Sequence, residues 1–366
     1  MGTKFFIKNL WIFFPVIFIL AGTLPLSLHA QDNTPKYSNE FLNLGVGGRA
    51  MAMANAQVAV SDDVTSSYWN PAGLLHIRNK YAGALMHASY FAGIANYDYL
   101  GFATPIDSLS HLGATILRFA VDDIPDTRYL YDANGAINYD NIRFFTAADY
   151  AFFVSYARRF PALKNLHLGG NMKIIHRKVG EFASAWGFGI DLGAQLRMKD
   201  WRFGMTFRDV FGTFNAWSHN TELVEDIYLQ TGNIIPQNSV EITLPRLILG
   251  MGYQFSIGEK VGILPAVDVD LTFDGKRNVA IGTRAISLDP KFGIEFDYGK
   301  IAFLRIGVNN FQKILDFDGS TYVSFQPTMG LGVKFRILSV DYAFLDIGDL
   351  SESLYSHVFS VKVSFD

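Results

Sequence analysis

The feature that most constrains this chain is a period-two alternation of apolar residues that returns in segment after segment from about Tyr81 to the C-terminus. Met329, Leu331, Val333, Phe335 and Ile337 alternate with Gly330, Gly332, Lys334 and Arg336. Trp186, Phe188, Ile190, Leu192, Ala194, Leu196 and Met198 alternate with Gly187, Gly189, Asp191, Gly193, Gln195 and Arg197, and the pattern recurs over 247–255 and 292–298. Successive strand residues point to opposite faces, so each segment presents one apolar face and one small or charged face. A soluble sandwich alternates too, and length separates the two cases. Soluble strands are typically about 5 to 6 residues, whereas a tilted membrane strand needs about 9 to 11. The segments here run to the longer figure, which predicts an all-β fold: a transmembrane antiparallel β-barrel.

About fourteen strands are expected, beginning near Tyr81, Ile94, Leu112, Ala148, Leu166, Ala183, Trp201, Ile242, Val261, Lys291, Ile301, Phe325, Ser339 and His357. An even number suits single-chain bacterial barrels. Connections alternate between tight (161–165, 199–200, 256–260, 299–300) and long (124–146, 212–241, 274–290, 312–324), as expected for short periplasmic turns and long external loops. Tyr90, Phe91, Tyr150, Phe160, Trp201, Tyr298 and Phe303 lie near strand ends, where interfacial aromatic girdles form. Phe359, Val361, Val363 and Phe365 alternate to the chain end, so a terminal aromatic strand is expected to close the ring. Closure matters because each unpaired backbone group in hydrocarbon costs several kcal/mol, roughly.

Lys4 and Lys8 precede an uncharged run from Asn9 to Ala30, closed by Ser27-Leu28-His29-Ala30, the layout of a secretory signal. Three divisions follow: 1–30 signal peptide, 31–79 tether and N-terminal hatch, 80–366 barrel. The absence of cysteine excludes a lipoprotein anchor at the cleavage site and structural disulfides. Without the signal the chain carries 29 basic against 34 acidic residues, which gives no footprint for nucleic acid.

Between tether and barrel, Phe41 to Ile77 lacks alternation and is crowded with glycine and alanine. Ser61 is placed to cap a short helix with Asp62 and Asp63 in its first turn, and Pro71 to end it by pushing Asn70 out of the helical region. A compact element of this size suits a plug inside the barrel. Gly47-Gly48-Arg49-Ala50-Met51, Ala59-Val60-Ser61-Asp62-Asp63 and Tyr68-Trp69-Asn70-Pro71-Ala72-Gly73-Leu74 resemble the N-terminal signature of the PorV/PorQ family. That family is similar in architecture to FadL, the long-chain fatty-acid channel, whose plug carries an Asn-Pro-Ala motif. The resemblance implies a FadL-like barrel with an internal hatch held around Asn70, Pro71, Ala72 and Gly73. It also implies a role in type IX secretion in the Bacteroidota, either accepting cargo or anchoring a surface partner.

The residues point to no catalytic or metal centre. Gly45-Val46-Gly47-Gly48-Arg49-Ala50 has dinucleotide-type spacing but no strand-helix-strand unit around it. Asp268, Asp270 and Asp274 hint at a calcium loop, yet Thr272 takes a ligand position and the glycine comes too late. No cofactor is expected. Asp191, Arg202, Arg208, Asp268, Asp270, Glu295, Asp297, Arg305, Lys334 and Arg336 fall on the inward face, where they must pair, meet the hatch or touch water. Tyr129, Tyr131, Trp217 and Tyr228 fall on the two longest loops and suit contacts with cargo or secretion machinery. The rival reading is a channel for a hydrophobic molecule, with Pro265 as a candidate break in the wall.

Overall fold

The computed structural model describes residues 38–132, 134–162, 165–346 and 355–366; the expected signal peptide, 1–30, and the tether over 31–37 lie outside these. Among the described residues no helix is long and apolar enough to cross a membrane. The chain forms strands β1 (Tyr81–Tyr90), β2 (Ala95–Pro105), β3 (Ser110–Asp126), β4 (Arg143–Arg159), β5 (Leu166–Val179) and β6 (Ala183–Met198). Next come β7 (Trp201–Arg208), β8 (Thr213–His219), β9 (Ser239–Thr243), β10 (Arg246–Tyr253), β11 (Phe255–Ile257) and β12 (Val261–Thr272). The last are β13 (Ile281–Gly282), β14 (Ser287–Tyr298), β15 (Ala302–Leu315), β16 (Thr321–Phe335), β17 (Leu338–Leu345) and β18 (Ser356–Phe365).

Each wall strand is antiparallel to its neighbours, and β1 closes on β18 from Tyr81↔Phe365 to Ser89↔His357. Beyond a break at Asp209–Gly212, β8 continues β7 against β6. β9 precedes β10 and β11 follows it in the same wall position, while β13 pairs only with β14. With β8, β9 and β11 counted as continuations and β13 left aside, the ring is a closed barrel of fourteen strands, the number expected from the alternation.

Facing follows from the period. Leu331 and Trp186 are 59% and 57% exposed, while Gly330, Gly332, Gly187 and Asp191 are buried. Leu85, Leu100, Ile174, Leu249, Ile306 and Phe359 continue the exposed apolar band around the ring. Water would penalise such a surface by about 25 cal/mol per Å², so the band is the face that meets lipid in the outer membrane. Lys199 and Arg336, at φ 53° each, sit in two-residue turns set by Met198↔Trp201 and Phe335↔Leu338.

Several expectations change. The loop expected over 312–324 shrinks to 316–320, because β15 and β16 pair up to Leu315↔Thr321. Pro265 makes no opening: β12 stays in register with β14 through Pro265↔Ile294 and with β10 and β11 on its other side. Tyr90 is buried inside rather than girdling the barrel, and Phe303 lines an interior cavity. Both follow the inward phase of their strands.

Residues 38–77 fill the interior. They form short turns, Glu40–Asn43, Gly48–Ala52, Ser66–Trp69 and Pro71–His76; their apolar side chains build one core with the inward Tyr97, Tyr99, Leu117, Phe153 and Ile175 of the wall, and a second, smaller one in which Met53, Ala56, Ala59 and Val60 meet Leu264 and Ala266. The helix expected after Ser61 starts at Ser66 instead; Asp62 turns to Arg49, while Asp63 divides its carboxylate between the Thr65 N–H at 2.8 Å and Lys362 at 2.9 Å. Ion pairing outweighs the weak dipole benefit of so short a helix.

Candidate functional site

Asn70 is extended, at φ −160° and ψ 104°, as a residue before proline must be. Its Oδ1 accepts from the Ala72 N–H at 3.2 Å, and its Nδ2 donates to the carbonyls of Val58 and Ala194, both at 2.9 Å. One amide thus joins the Val58 turn, the Asn-Pro corner and β6. Pro71 and Ala72 lie so close to β5 that a Cβ on Gly169 would come within 2.6 Å of both the Ala72 nitrogen and the Pro71 carbonyl carbon. A Cβ on Gly193 would overlap Asn70 Oδ1, and one on Gly73 would come within 2.6 Å of the Ser61 carbonyl. The small inward residues of the strands are therefore a landing surface for backbone.

The inward charges connect this segment to the wall. Glu295 accepts from Arg49 at 2.9 Å and from Arg305 at 2.7 Å; Arg305 reaches Asp341 at 2.8 Å; Lys362 joins Asp341 at 3.1 Å to Asp63 at 2.9 Å. Arg49 also holds Asp62 at 2.8 Å. The result is an alternating chain of ions that twice crosses between wall and inner segment. Asp268 accepts the N–H groups of Gln57 and Val58 at 2.7 and 2.8 Å. Asp270 takes Lys291 at 2.9 Å and Arg246 at 3.5 Å. Arg208 donates to the carbonyls of Leu42 and Tyr68 at 3.1 Å each, with its guanidinium 4.6 Å from the Tyr68 ring. Arg202 donates to Gln254 at 2.9 Å and lies 3.9 Å from Asp62.

Asp297, Lys334 and Arg336 line a cavity of about 460 Å³ at the short-turn end, together with Arg49, Asp62 and Lys362. The half-buried carboxylates of the inner segment stay ionised there. Against burial, which alone would raise it, Arg49, Arg197 and Arg202 hold Asp62 well below the usual carboxylate range. Burial, then Arg197 and His167, push the His76 imidazole down to about 3; it hydrogen-bonds Gln195 at 3.0 Å and its ring centre lies 4.6 Å from that of His167.

Reading by residue missed the partners. Asp191 is neutralised by buried Lys173 at 2.8 Å, which also holds Asp209 at 2.5 Å. Lys173 sits in phase between outward Met172 and Ile174, so the alternation itself carries that signal; Asp209 sits in the break after β7, where no period reaches. Among the described residues no group of three or more His, Cys, Asp or Glu is placed to hold a metal ion.

At the opposite end β3 and β4 stay paired as far as Asp126↔Arg143; their loop carries Tyr129, Tyr131 and Tyr139, and Phe144 belongs to β4, paired with Pro125, all four exposed, Tyr139 at 72%. Tyr129 lies 4.8 Å from the Arg143 guanidinium. Trp217, expected on a loop, belongs to β8; its Nε1 donates to Glu241 at 3.0 Å and Arg177 covers the ring. The long stretch after β7 folds back as the β8 and β9 hairpin, which turns Trp217 into a cross-strand residue. Tyr228 lies on the helix Glu225–Thr231 and is partly exposed.

This architecture is shared with solved structures. The toluene transporter TbuX of Ralstonia pickettii is similar at 14% identity and a TM-score of 0.52, over 88% of this chain and 99% of that one. The toluene transporter TodX of Pseudomonas putida is similar at 12% and 0.54, over 88% and 98%. A FadL homologue of Pseudomonas aeruginosa is similar at 11% and 0.52, over 88% and 98%. At these identities the likeness is one of fold. No curated protein matches the chain. The family description of the type IX secretion system protein PorV matches residues 29–269. The chain therefore belongs to the PorV family of type IX secretion system proteins, built as a FadL-type outer-membrane barrel.

Proposed function

We propose that this barrel is an accessory component of type IX protein secretion that binds exported cargo or a surface partner at its external rim. The observation that carries the reading is the β3 and β4 hairpin, paired as far as Asp126↔Arg143, which presents four exposed aromatic side chains, Phe144 on the ladder itself and Tyr129, Tyr131 and Tyr139 on the loop beyond it. Aromatic side chains bring large contact area with few rotatable bonds and dominate protein contacts.

Transport of a hydrophobic molecule, to which the toluene transporters TbuX and TodX point by fold, has less support. The inner segment is tied to the wall through Asn70, Asp268, Glu295 and Arg208; the cavity at the short-turn end is lined mainly by charged side chains, and the one at the opposite end mixes charged and amide groups with Leu44, Met51, Phe91 and Leu345 instead of offering the continuous apolar surface such a ligand needs.

Replacing Tyr129, Tyr131, Tyr139 and Phe144 together by alanine tests the proposal. The variant is expected to assemble normally in the outer membrane while cargo no longer co-purifies with it and surface display of cargo falls. Normal cargo display by this variant, with impaired uptake of a hydrophobic solute instead, would transfer support to the channel.

A further inference from the structure

β14 is paired with β12 over its whole length, up to Ser287↔Thr272, and β15 with β16 up to Leu315↔Thr321. These two strands are neighbours in the wall, yet the ladder between them runs only from Tyr298↔Ala302 to Phe292↔Val308. Residues 287–291 and 309–315 thus face a slit. A bulge between Asn309 and Gln312, with Asn310 at φ 54°, bends β15 at that level, and Pro290 in β14 has no N–H to offer.

The loop that follows β12 crosses this slit. Its β13 pairs with β14 through Ile281↔Leu288 and Gly282↔Ser287, on the side of β14 away from β12. The Asn278 amide bonds both the N–H and the C=O of Lys313 on β15 at 3.1 Å, as the backbone of a neighbouring strand would. This cover is partial: it gives a strand partner to two residues of β14, and side-chain bonds to one residue of β15.

Behind the slit lies a cavity of about 410 Å³ lined by both edges, the loop and the inner segment. Four of its lining residues, Asn55, Asp270, Asp289 and Asn309, each keep a buried oxygen with no hydrogen-bond partner. Asp270 and Asn309 are 95% and 91% buried. Asn309 and Asn55 donate their Nδ2 groups to the carbonyls of Ala54 and Leu44, which fixes the remaining amide oxygens as acceptors. These four oxygens are open to further donors, although Arg246, Arg277 and Lys291 line the same cavity. An apolar solute brings none, whereas an extended polypeptide brings a row of N–H groups and the geometry to pair with both edges.

We propose that the slit between β14 and β15 is a docking site for an extended polypeptide segment of a partner protein, which adds as a strand where the chain's own loop, 273–286, stands in the isolated barrel. This goes beyond the rim reading above, since it places a peptide contact within the wall.

The test uses the full-length barrel in detergent and a fluorescent synthetic peptide with the sequence of residues 276–286. The natural absence of cysteine allows a lock, Asn278→Cys with Lys313→Cys, closed by oxidation. A second variant, Asn278→Ala with Ile281→Pro, loosens the loop. Saturable binding is expected to be at least about tenfold tighter in the loosened variant, because the cost of displacing the loop is removed. It is expected to be at least about tenfold weaker in the oxidised lock and to return on reduction, which separates locking from misfolding. Equal binding by wild type, loosened and oxidised proteins would overturn the proposal. So would absence of binding by all three, equal binding of a peptide with proline at the position of Ile281, or toluene occupying the cavity in the peptide's place.

Discussion

The Asn70 side-chain amide donates to the Ala194 carbonyl at 2.9 Å, and beside that carbonyl Gly193 leaves no room for a Cβ against Asn70 Oδ1. The inner segment is thus fastened where side-chain hydrogen bonding and the lack of a side chain coincide. Asn70→Ala removes the donor and strands buried carbonyls, so the inner segment should lose about 2 to 4 kcal/mol of local stability. Amide exchange over 38–77 should speed up while the barrel keeps its compact gel mobility. Exchange no faster than in an exposed control such as Glu259→Ala would contradict the assignment.

Arg49 lies between Asp62 and Glu295, and its removal leaves Glu295 to Arg305 alone. Breaking one member of a buried ionic set costs about 3 to 5 kcal/mol because the other charge remains. Arg49→Met should destabilise the inner segment by that order, and Glu295→Gln added to it should recover part of the loss. A double-mutant cycle by denaturant titration measures the coupling; additive effects would remove the link between hatch and wall.

The inner segment should loosen as pH falls. His76 titrates near 3 in the folded protein and near about 6.5 when unfolded, and Asp62 likewise lies below its unfolded value. In both cases the unfolded state binds more protons across the interval, so stability is fully present above about 6.5 and declines as pH falls toward 3, with Asp62 adding its part below about 4. Exchange protection of 38–77 at pH 7.5, 5.5 and 4 checks this. His76→Gln should flatten the limb between 6.5 and 4, and an unchanged profile in that variant would count against it.

Facing can be tested at one pair of positions. Leu331 is outward and Lys334 lines the cavity at the short-turn end. Leu331→Arg places a charge in lipid and should cost about 2 to 4 kcal/mol near the midplane, whereas Lys334→Leu should change stability little. Urea titration of folding into vesicles distinguishes them, and the reverse order would mean that the strand is out by one residue.

Much of this was legible in the residues. The alternation around Trp186 and Met329 fixes which side chains meet lipid, because strand periodicity is a local property of backbone geometry. The ring and its fourteen strands follow, since an apolar band in hydrocarbon tolerates no open edge. Gly169, Gly193 and Gly293 could be read as inward and small, but not as seats for Ala72, Asn70 and Met53, whose path lies far away in sequence.

Partnership is where local reading stops. Lys173 with Asp191 and Asp209, Arg305 between Glu295 and Asp341, and Trp217 on Glu241 depend on register and on the route of the inner segment. The slit beside β15 depends on a bulge that no period announces. By itself the sequence determined the direction of each side chain along a strand and the need for the sheet to close. Only the tertiary structure decided which charges meet and where the wall stays unzipped, because those outcomes are set by strand register and by the route of the inner segment, through contacts from 10 residues apart, Arg305 with Glu295, to 312 apart, Gly48 with Ser360.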